Sequence, residues 1–355
     1  MRRMRLDEST IGMVVGEPPR DPNGRPLVAV GTTLDAETLQ RLQGAGVQQI
    51  GIEDPAFHDL SFASLVSTAT QRLATAVFGE ARERIVQRPT SPVPRAPFSR
   101  LARAVIEDAE DMPLDLASYL WPANRAESHQ VHALNRTSLA VRLARQRGLG
   151  RYLVDIGHAA LACDLGMFLI PESLTVRTTV SDEERNIIQG HVQQSLRLLD
   201  ASQGWSAVTR TAVMQHHERM DGSGYPQGLK AGQIHPTAAL LMICDVYSAM
   251  LVPRPDREEL TPEDALDKVI GSAGVELDYE DVSAFHRMVP PYPVGTELEL
   301  SNGGRAVVLR VPLHIKSRPV VRVFQDRDGN RVEPWSELDL SERAQQATTV
   351  VRVIA

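Results

Sequence analysis

The 355-residue chain sets 38 lysines and arginines against 45 aspartates and glutamates, a net charge of -7 with pI near 5.8, and 42% of its residues are hydrophobic. That length predicts two or three domains around a sizeable core. The acidic balance excludes a nucleic-acid coat or an anionic-membrane binder, so DNA is not an expected partner.

The start, Met1-Arg2-Arg3-Met4-Arg5 followed by Leu6-Asp7-Glu8-Ser9, lacks the apolar stretch of a signal peptide. No run reads as a membrane span, so no membrane insertion and a cytoplasmic location are expected. Gly12 to Val15 and Leu27 to Val30 read as short strands around the turn Asp21-Pro22-Asn23-Gly24. A helix is predicted from Asp35, burying Leu39 and Leu42 and stopping near Gly44 to Gly46, before a strand over Val47 to Ile52. These make a small α+β module over 1–80. Closely spaced prolines in Arg88 to Pro97 block helix and sheet alike and place a linker at 81–98.

Residues 99–287 read as helical. Ser181 with Glu184 three residues on is a capping box, and the helix it opens is expected to carry His191 on a face with Ile187, Ile188, Ser195 and Leu198. A histidine on such a face is a satisfied core group or a ligand. His132 has polar company in His129, Asn135 and Arg136, which leaves an exposed helix face and a ligand both open.

Trp205, Val208 and Ala212 mark a helical stripe that continues to His216, while His217 lies on the neighbouring stripe near Val213. Adjacent histidines that end a helix and run into the glycine-rich turn Asp221 to Pro226 suit metal binding. The competing reading has one histidine on the last carbonyls and the other in solvent. Asp245 sits in Ala238 to Leu251, apolar on nearly every face, and so is predicted to be buried. A buried carboxylate needs a cation, several donors or a metal, and no lysine or arginine lies within one turn of it along the chain.

Over 288–355, Pro290-Pro291-Tyr292-Pro293 introduces a strand from Glu297 to Leu300, a turn at Asn302-Gly303 and a strand from Ala306 to Val311. Val320 to Phe324, turning at Asp328-Gly329-Asn330, predicts a second hairpin and hence a small β-module.

Taken in order, His132 with Asn135, Ala160 to Met167 followed by Ile170-Pro171, then His191, His216-His217-Glu218, Asp221 to Pro226, Asp245 and Arg254-Pro255 resemble the HD-GYP family. These are bacterial metal-dependent phosphodiesterases of cyclic di-GMP within the HD superfamily. The resemblance covers roughly residues 100 to 285 and implies a mainly α fold: a central HD-type helical bundle between the two small modules. It also implies His132, Asp164, His191, His216, His217 and Asp245 as ligands of iron or manganese, with Asp164 bridging two ions. Arg254 and Arg257 match the family positions where cyclic di-GMP phosphates dock, which suits the bidentate grip of guanidinium on phosphate. Gly224, Tyr225 and Pro226 would shape the lip of the site, and in some members this loop contacts diguanylate cyclases.

The departures weigh as much as the matches. The family's His-Asp-x-Gly-Lys stands here as Cys163-Asp164-Leu165-Gly166-Met167, and its Asp-Val-x-Asp-Ala as Asp245-Val246-Tyr247-Ser248-Ala249. One ligand, one cation and one nearby anion are missing together, and Ser128 replaces a glutamate one turn before His132. Cys163 could be a core residue, a substitute thiolate ligand or a redox thiol. The first is favoured, because its side chain is shorter than imidazole.

The expected function is therefore that of a degenerate HD-GYP protein in cyclic di-GMP signalling, with weak or no hydrolysis and one metal ion or none. Two alternatives stand beside it: a working phosphodiesterase with an unorthodox metal site, and a scaffold that docks a diguanylate cyclase.

Overall fold

The computed structural model describes residues 2–354 apart from 20–24, 48, 55–56, 61–62, 116, 121–127, 176, 203 and 253–258. The chain gathers into a mixed unit of residues 1–64, 114–128 and 290–355 and a helical unit of residues 65–113 and 129–289.

In the mixed unit, β1 (Arg2–Arg5), β2 (Val15–Glu17) and β3 (Gln49–Ile52) form an antiparallel sheet in the order β1-β3-β2, with α1 (Ala36–Gly44) between β2 and β3 in the chain. Asp35 caps α1 by accepting from the Thr38 amide at 2.7 Å, and Leu39 and Leu42 turn inward onto Leu6, Val15, Ile50 and Ile52. The first strand therefore lies two to three residues later than the sequence pattern placed it, and Leu27 to Val30 form no strand, although Val28 still joins this core. β1 went unrecognised because its arginines hide the alternation on which strand reading depends. The turn expected at 21–24 lies outside the described residues.

β4 (Ala63–Ser64) pairs in parallel with β5 (Ala117–Ser118). The remaining strands are β6 (Glu297–Leu300), β7 (Arg305–Arg310), β8 (Val320–Gln325), β9 (Arg331–Asp339) and β10 (Val350–Val353), in the order β10-β6-β7-β8-β9. Both expected hairpins form, and Gly303 and Gly329 take the positive φ angles of 81° and 86° that their turns require. Phe57 packs its ring 5.3 Å from Phe324, Asp59 accepts from Arg322 at 2.6 Å and Asp54 from Arg331 at 2.6 Å. The two terminal segments keep separate cores, and a small third cluster of Phe57, Val307 and Phe324 joins them.

The helical unit holds α2 (Thr68–Gln87), α3 (Arg95–Asp111), α4 (Ser128–Gln146), α5 (Leu153–Ala162), α6 (Glu172–Thr175), α7 (Asp182–Gln189), α8 (His191–Asp200), α9 (Ala207–Gln215), α10 (Pro236–Met250), α11 (Pro262–Gly271) and α12 (Tyr279–Met288). The fold is mainly helical with small modules, as the sequence predicts. The expected linker at 81–98 is shorter, since 81–87 continue α2 and 95–98 open α3. Ser181 and Glu184 do form the capping box, but the helix they open stops at Gly190, so His191 begins a second helix instead of extending the first. Gly150–Leu169 is long and apolar enough to cross a membrane, yet within it Ile156 to Cys163 are buried inside this unit and lead into Asp164.

Gly157 lets α5 press against α3, where a side chain would meet Ala102 at 3.2 Å. Next to it, His158 is 2% exposed, 2.9 Å from Ser99 Oγ and edge-on to Trp205. Burial, helped by Arg95 and Arg103 and opposed by Asp155, pushes its pKa down to about 4 from 6.5. The unfolded chain binds this proton more readily, so stability should fall as pH drops from 6.5 towards 4 and level off below. The expected loss is on the order of 2 to 3 kcal/mol. Urea unfolding across that range should show a shallower slope in His158→Leu than in the wild type, the remainder coming from His132 and His217, which burial also depresses; a slope unchanged by the substitution would assign it wholly elsewhere.

Candidate functional site

Five helices of this unit converge on one polar centre. His132 and Arg136, one turn apart on α4, share a face. Asp164 follows α5, His191 opens α8, His216 caps α9 with His217 next, and Asp245 lies mid-way along α10. The loop carrying Asp164 is pinned to α8: Ser195 Oγ accepts from the Gly166 amide at 2.8 Å and donates to the Cys163 carbonyl at 2.6 Å. Only glycine fits at 166, because a Cβ would fall 2.1 Å from the His191 carbonyl.

Asp164 divides the centre. Its Oδ1 faces His191 Nε2 at 3.3 Å and His216 Nε2 at 3.7 Å. Each of these rings donates its Nδ1 proton to a carbonyl one turn back, His191 to Ile188 at 2.7 Å and His216 to Val213 at 2.6 Å. Those bonds fix the tautomer and leave each Nε2 with a bare lone pair, buried and without a hydrogen-bond partner. Lone pairs and a carboxylate oxygen aimed at one another repel unless a proton or a metal cation lies between them. Burial works against a charge on His191, yet Asp164 beside it raises its proton affinity. One ligand atom each from Asp164, His191, His216 and His217 lies within 4.8 Å of the others, so this cluster fits a metal ion in both donor type and spacing. Asp164 and His217 keep side-chain exposures of 20% and 18%, which opens the cluster to solvent.

The other half is occupied by arginine. Arg136 is fully buried, and its Nη1 lies 2.6 Å from Asp164 Oδ2, 2.5 Å from Asp245 Oδ1 and 3.0 Å from His132 Nε2. Its Nε and Nη2 both donate to the Ala160 carbonyl, at 2.9 and 2.7 Å. Burial works against the charge on Asp164 and Asp245, yet the guanidinium beside them holds both carboxyls well below the usual range. Ser248 Oγ donates to the Cys244 carbonyl at 2.6 Å and accepts from His132 Nδ1 at 3.1 Å, which turns the lone pair of His132 towards Arg136.

Asp245 is therefore buried with a cation, as its helix demands, but the cation comes from a residue 109 positions away. The sequence did carry a signal for it: an arginine four residues after His132 must face wherever that histidine faces. His132 itself is 7% exposed, which excludes the solvated helix face.

Cys163 is fully buried, with its Sγ 4.0 Å from the Ala160 carbonyl, and burial pushes the thiol well above its ordinary range. Cys244 behaves alike, and both are free. Neither should react with a disulfide reagent at pH 8 in the native protein, and both should react once it is unfolded. Thiol release from the native chain would restore the redox reading of Cys163. Met167, in the lysine position, is half-buried and brings no charge.

The glycine-rich loop is clamped by a residue absent from the expected site. Glu218, fully buried, accepts from the Gln227 amide through Oε1 and the Leu229 amide through Oε2, both at 2.8 Å. Gly224 passes so near the 218–219 backbone that a Cβ would fall 2.4 Å from it. The Tyr225 ring then lies 4.7 Å from that of His217, beside the metal-type cluster, with Pro226 next in the same turn. Glu218→Ala frees two amides and should cost about 2 kcal/mol, read as a lower urea midpoint, with hydrogen exchange rising in 222–229. Unchanged exchange there would deny Glu218 this role. Arg254 and Arg257 lie outside the described residues.

Residues 122–280 match the HD domain family. The chain is 28% identical over 349 residues to the cyclic di-GMP phosphodiesterase PA4108 of Pseudomonas aeruginosa, an alignment that covers 90% of this chain and 84% of that protein. It is 34% identical over 148 residues to the cyclic di-GMP phosphodiesterase response regulator RpfG of Xanthomonas campestris, covering 41% and 39%. A cyclic di-GMP phosphodiesterase of Thermotoga maritima is 28% identical over 178 residues, covering 49% and 48%. The chain thus spans less than half the length of the last two. Among solved structures, Bd1817, an HD-GYP-type protein from Bdellovibrio bacteriovorus, aligns with a TM-score of 0.49 and 15% identity over 80% of this chain and 97% of that one. The HD domain match encloses the converging histidines and aspartates, with the Gly-Tyr-Pro turn at their edge, and the curated relatives named above are cyclic di-GMP phosphodiesterases.

Proposed function

We propose that this chain acts in cyclic di-GMP signalling as an HD-GYP protein that binds the nucleotide, a partner protein or both, holds one divalent ion, and hydrolyses weakly or not at all. The observation that carries this reading is Cys163, a fully buried thiol kept protonated by burial where the family places the imidazole that holds its second ion.

Asp164, His191, His216 and His217 would hold the ion, and their mixed nitrogen and oxygen donors suit iron or manganese. Such an ion would offset charge on a bound phosphodiester. The chain's own residues do the rest: backbone carbonyls orient His191 and His216, Glu218 holds the loop, and Tyr225 borders the opening beside His217. Arg254 and Arg257 are the proposed phosphate contacts, and a diguanylate cyclase is a proposed partner of the Gly224–Tyr225–Pro226 turn.

A second reading, an active phosphodiesterase with an unorthodox centre, is favoured by the completeness of that four-residue cluster and by the names of the relatives. One preparation separates the two. Protein purified without oxygen should bind cyclic di-GMP and turn it over with manganese or iron no faster than a His217→Ala control. Metal-dependent turnover abolished by that substitution would establish the phosphodiesterase, and absence of nucleotide binding would remove the proposed ligand.

A further inference from the structure

Arg136 stands among atoms that ordinarily hold a metal. Two carboxylate oxygens and an imidazole lone pair converge on Nη1, three acceptors around a nitrogen that carries two protons. The guanidinium cannot swing away, because Nε and Nη2 are both fixed to the Ala160 carbonyl and the side chain is wholly enclosed. His132, Asp164 and Asp245 also lie close enough together to form a metal-type cluster of their own. An ion at coordination distance of all three, about 2.1 Å, would fall well inside contact distance of Nη1, which is 2.5 to 3.0 Å from the same atoms. The second metal position that the family's chemistry implies therefore does not fit this chain.

We infer that the Arg136 guanidinium is a built-in cation in place of the second metal ion, so that the pocket takes a single exchangeable ion, held by Asp164, His191, His216 and His217. The inference rests on the proposed metal at that cluster but not on the nucleotide. Charge favours it: Asp164 and Asp245 carry two negative charges, and Arg136 neutralises one without an ion that a chelator could remove. It also accounts for Cys163: with a guanidinium fixed beside Asp164 and Asp245, a histidine there has no second ion to hold.

Metal counting tests this without nucleotide. Protein dialysed against manganese should retain one equivalent per chain, with the electron paramagnetic resonance spectrum of an isolated ion. Two equivalents, or a spin-coupled pair, would overturn the inference and leave the proposed first site standing, while none would overturn both. Arg136→Val combined with Cys163→His should raise the count to two, and a folded variant that stays at one counts against the substitution of metal by arginine. Asp245→Asn, which keeps shape and an acceptor for Arg136, provides the same test should that variant not fold. One retained equivalent supports Asp245 as a partner of Arg136, and loss of the ion makes it a ligand and overturns the inference.

Discussion

Replacing Arg136 with methionine is expected to destabilise the helical unit by on the order of 3 to 5 kcal/mol at pH 7 in chelator, because it strands Asp164 and Asp245 beside one another without their cation. The helix itself loses little, since methionine is a good helix former of similar length. The cost is electrostatic and should therefore depend on pH. In the wild type the guanidinium holds both carboxyls well below 3.8, so its contribution is complete at neutral pH and is lost only as pH falls below that value. In the variant the buried carboxyls protonate readily, so the gap between the two proteins should narrow on acidification. Arg136→Lys should fall between them, because an ammonium cannot serve the Ala160 carbonyl and both carboxylates at once. Urea unfolding at pH 7 and pH 5 decides: a methionine variant within about 1 kcal/mol of wild type at both would mean the two aspartates need no internal cation.

The second large effect concerns turnover. Cys163→His, Met167→Lys and Ser248→Asp restore the family residues, yet on their own they should leave cyclic di-GMP hydrolysis at the wild-type level, because Arg136 still fills the second position. Adding Arg136→Val should raise turnover with manganese or iron by on the order of a hundredfold, the scale of one preorganised charge at a reacting phosphate. Equal gains in the triple and quadruple variants would clear Arg136 as the obstacle. No gain in a quadruple variant that binds two ions would place the defect in the nucleotide contacts instead.

Sequence patterning exposed the parts of the site that depend on neighbours along the chain. The capping box at Ser181, the histidine pair ending α9, the all-apolar helix around Asp245 and both C-terminal hairpins follow from periodicity and turn chemistry, and the structure carries each of them. What stayed hidden depends on distances between helices. Arg136 looked like one more polar residue near His132 until α10 brought Asp245 against it, and Glu218 looked like part of a histidine motif until the loop folded back over it. The break at Gly190 escaped notice because Ile187, Ile188 and His191 keep helical spacing across it.

The mixed unit sets a timetable for synthesis. Asp59 and its partner Arg322 are 263 residues apart, and Phe57 and Phe324 flank the same junction. At ~5 to 20 residues per second, the N-terminal segment waits on the order of 10 to 50 s for strands that have not yet left the ribosome. Meanwhile the entire helical unit emerges and can close over its polar centre. Phe57 can dock only once β8 has emerged, so its ring should be among the later groups to gain protection from solvent, and a chain that stops short of β8 should leave that aromatic surface open to chaperones or to other nascent chains.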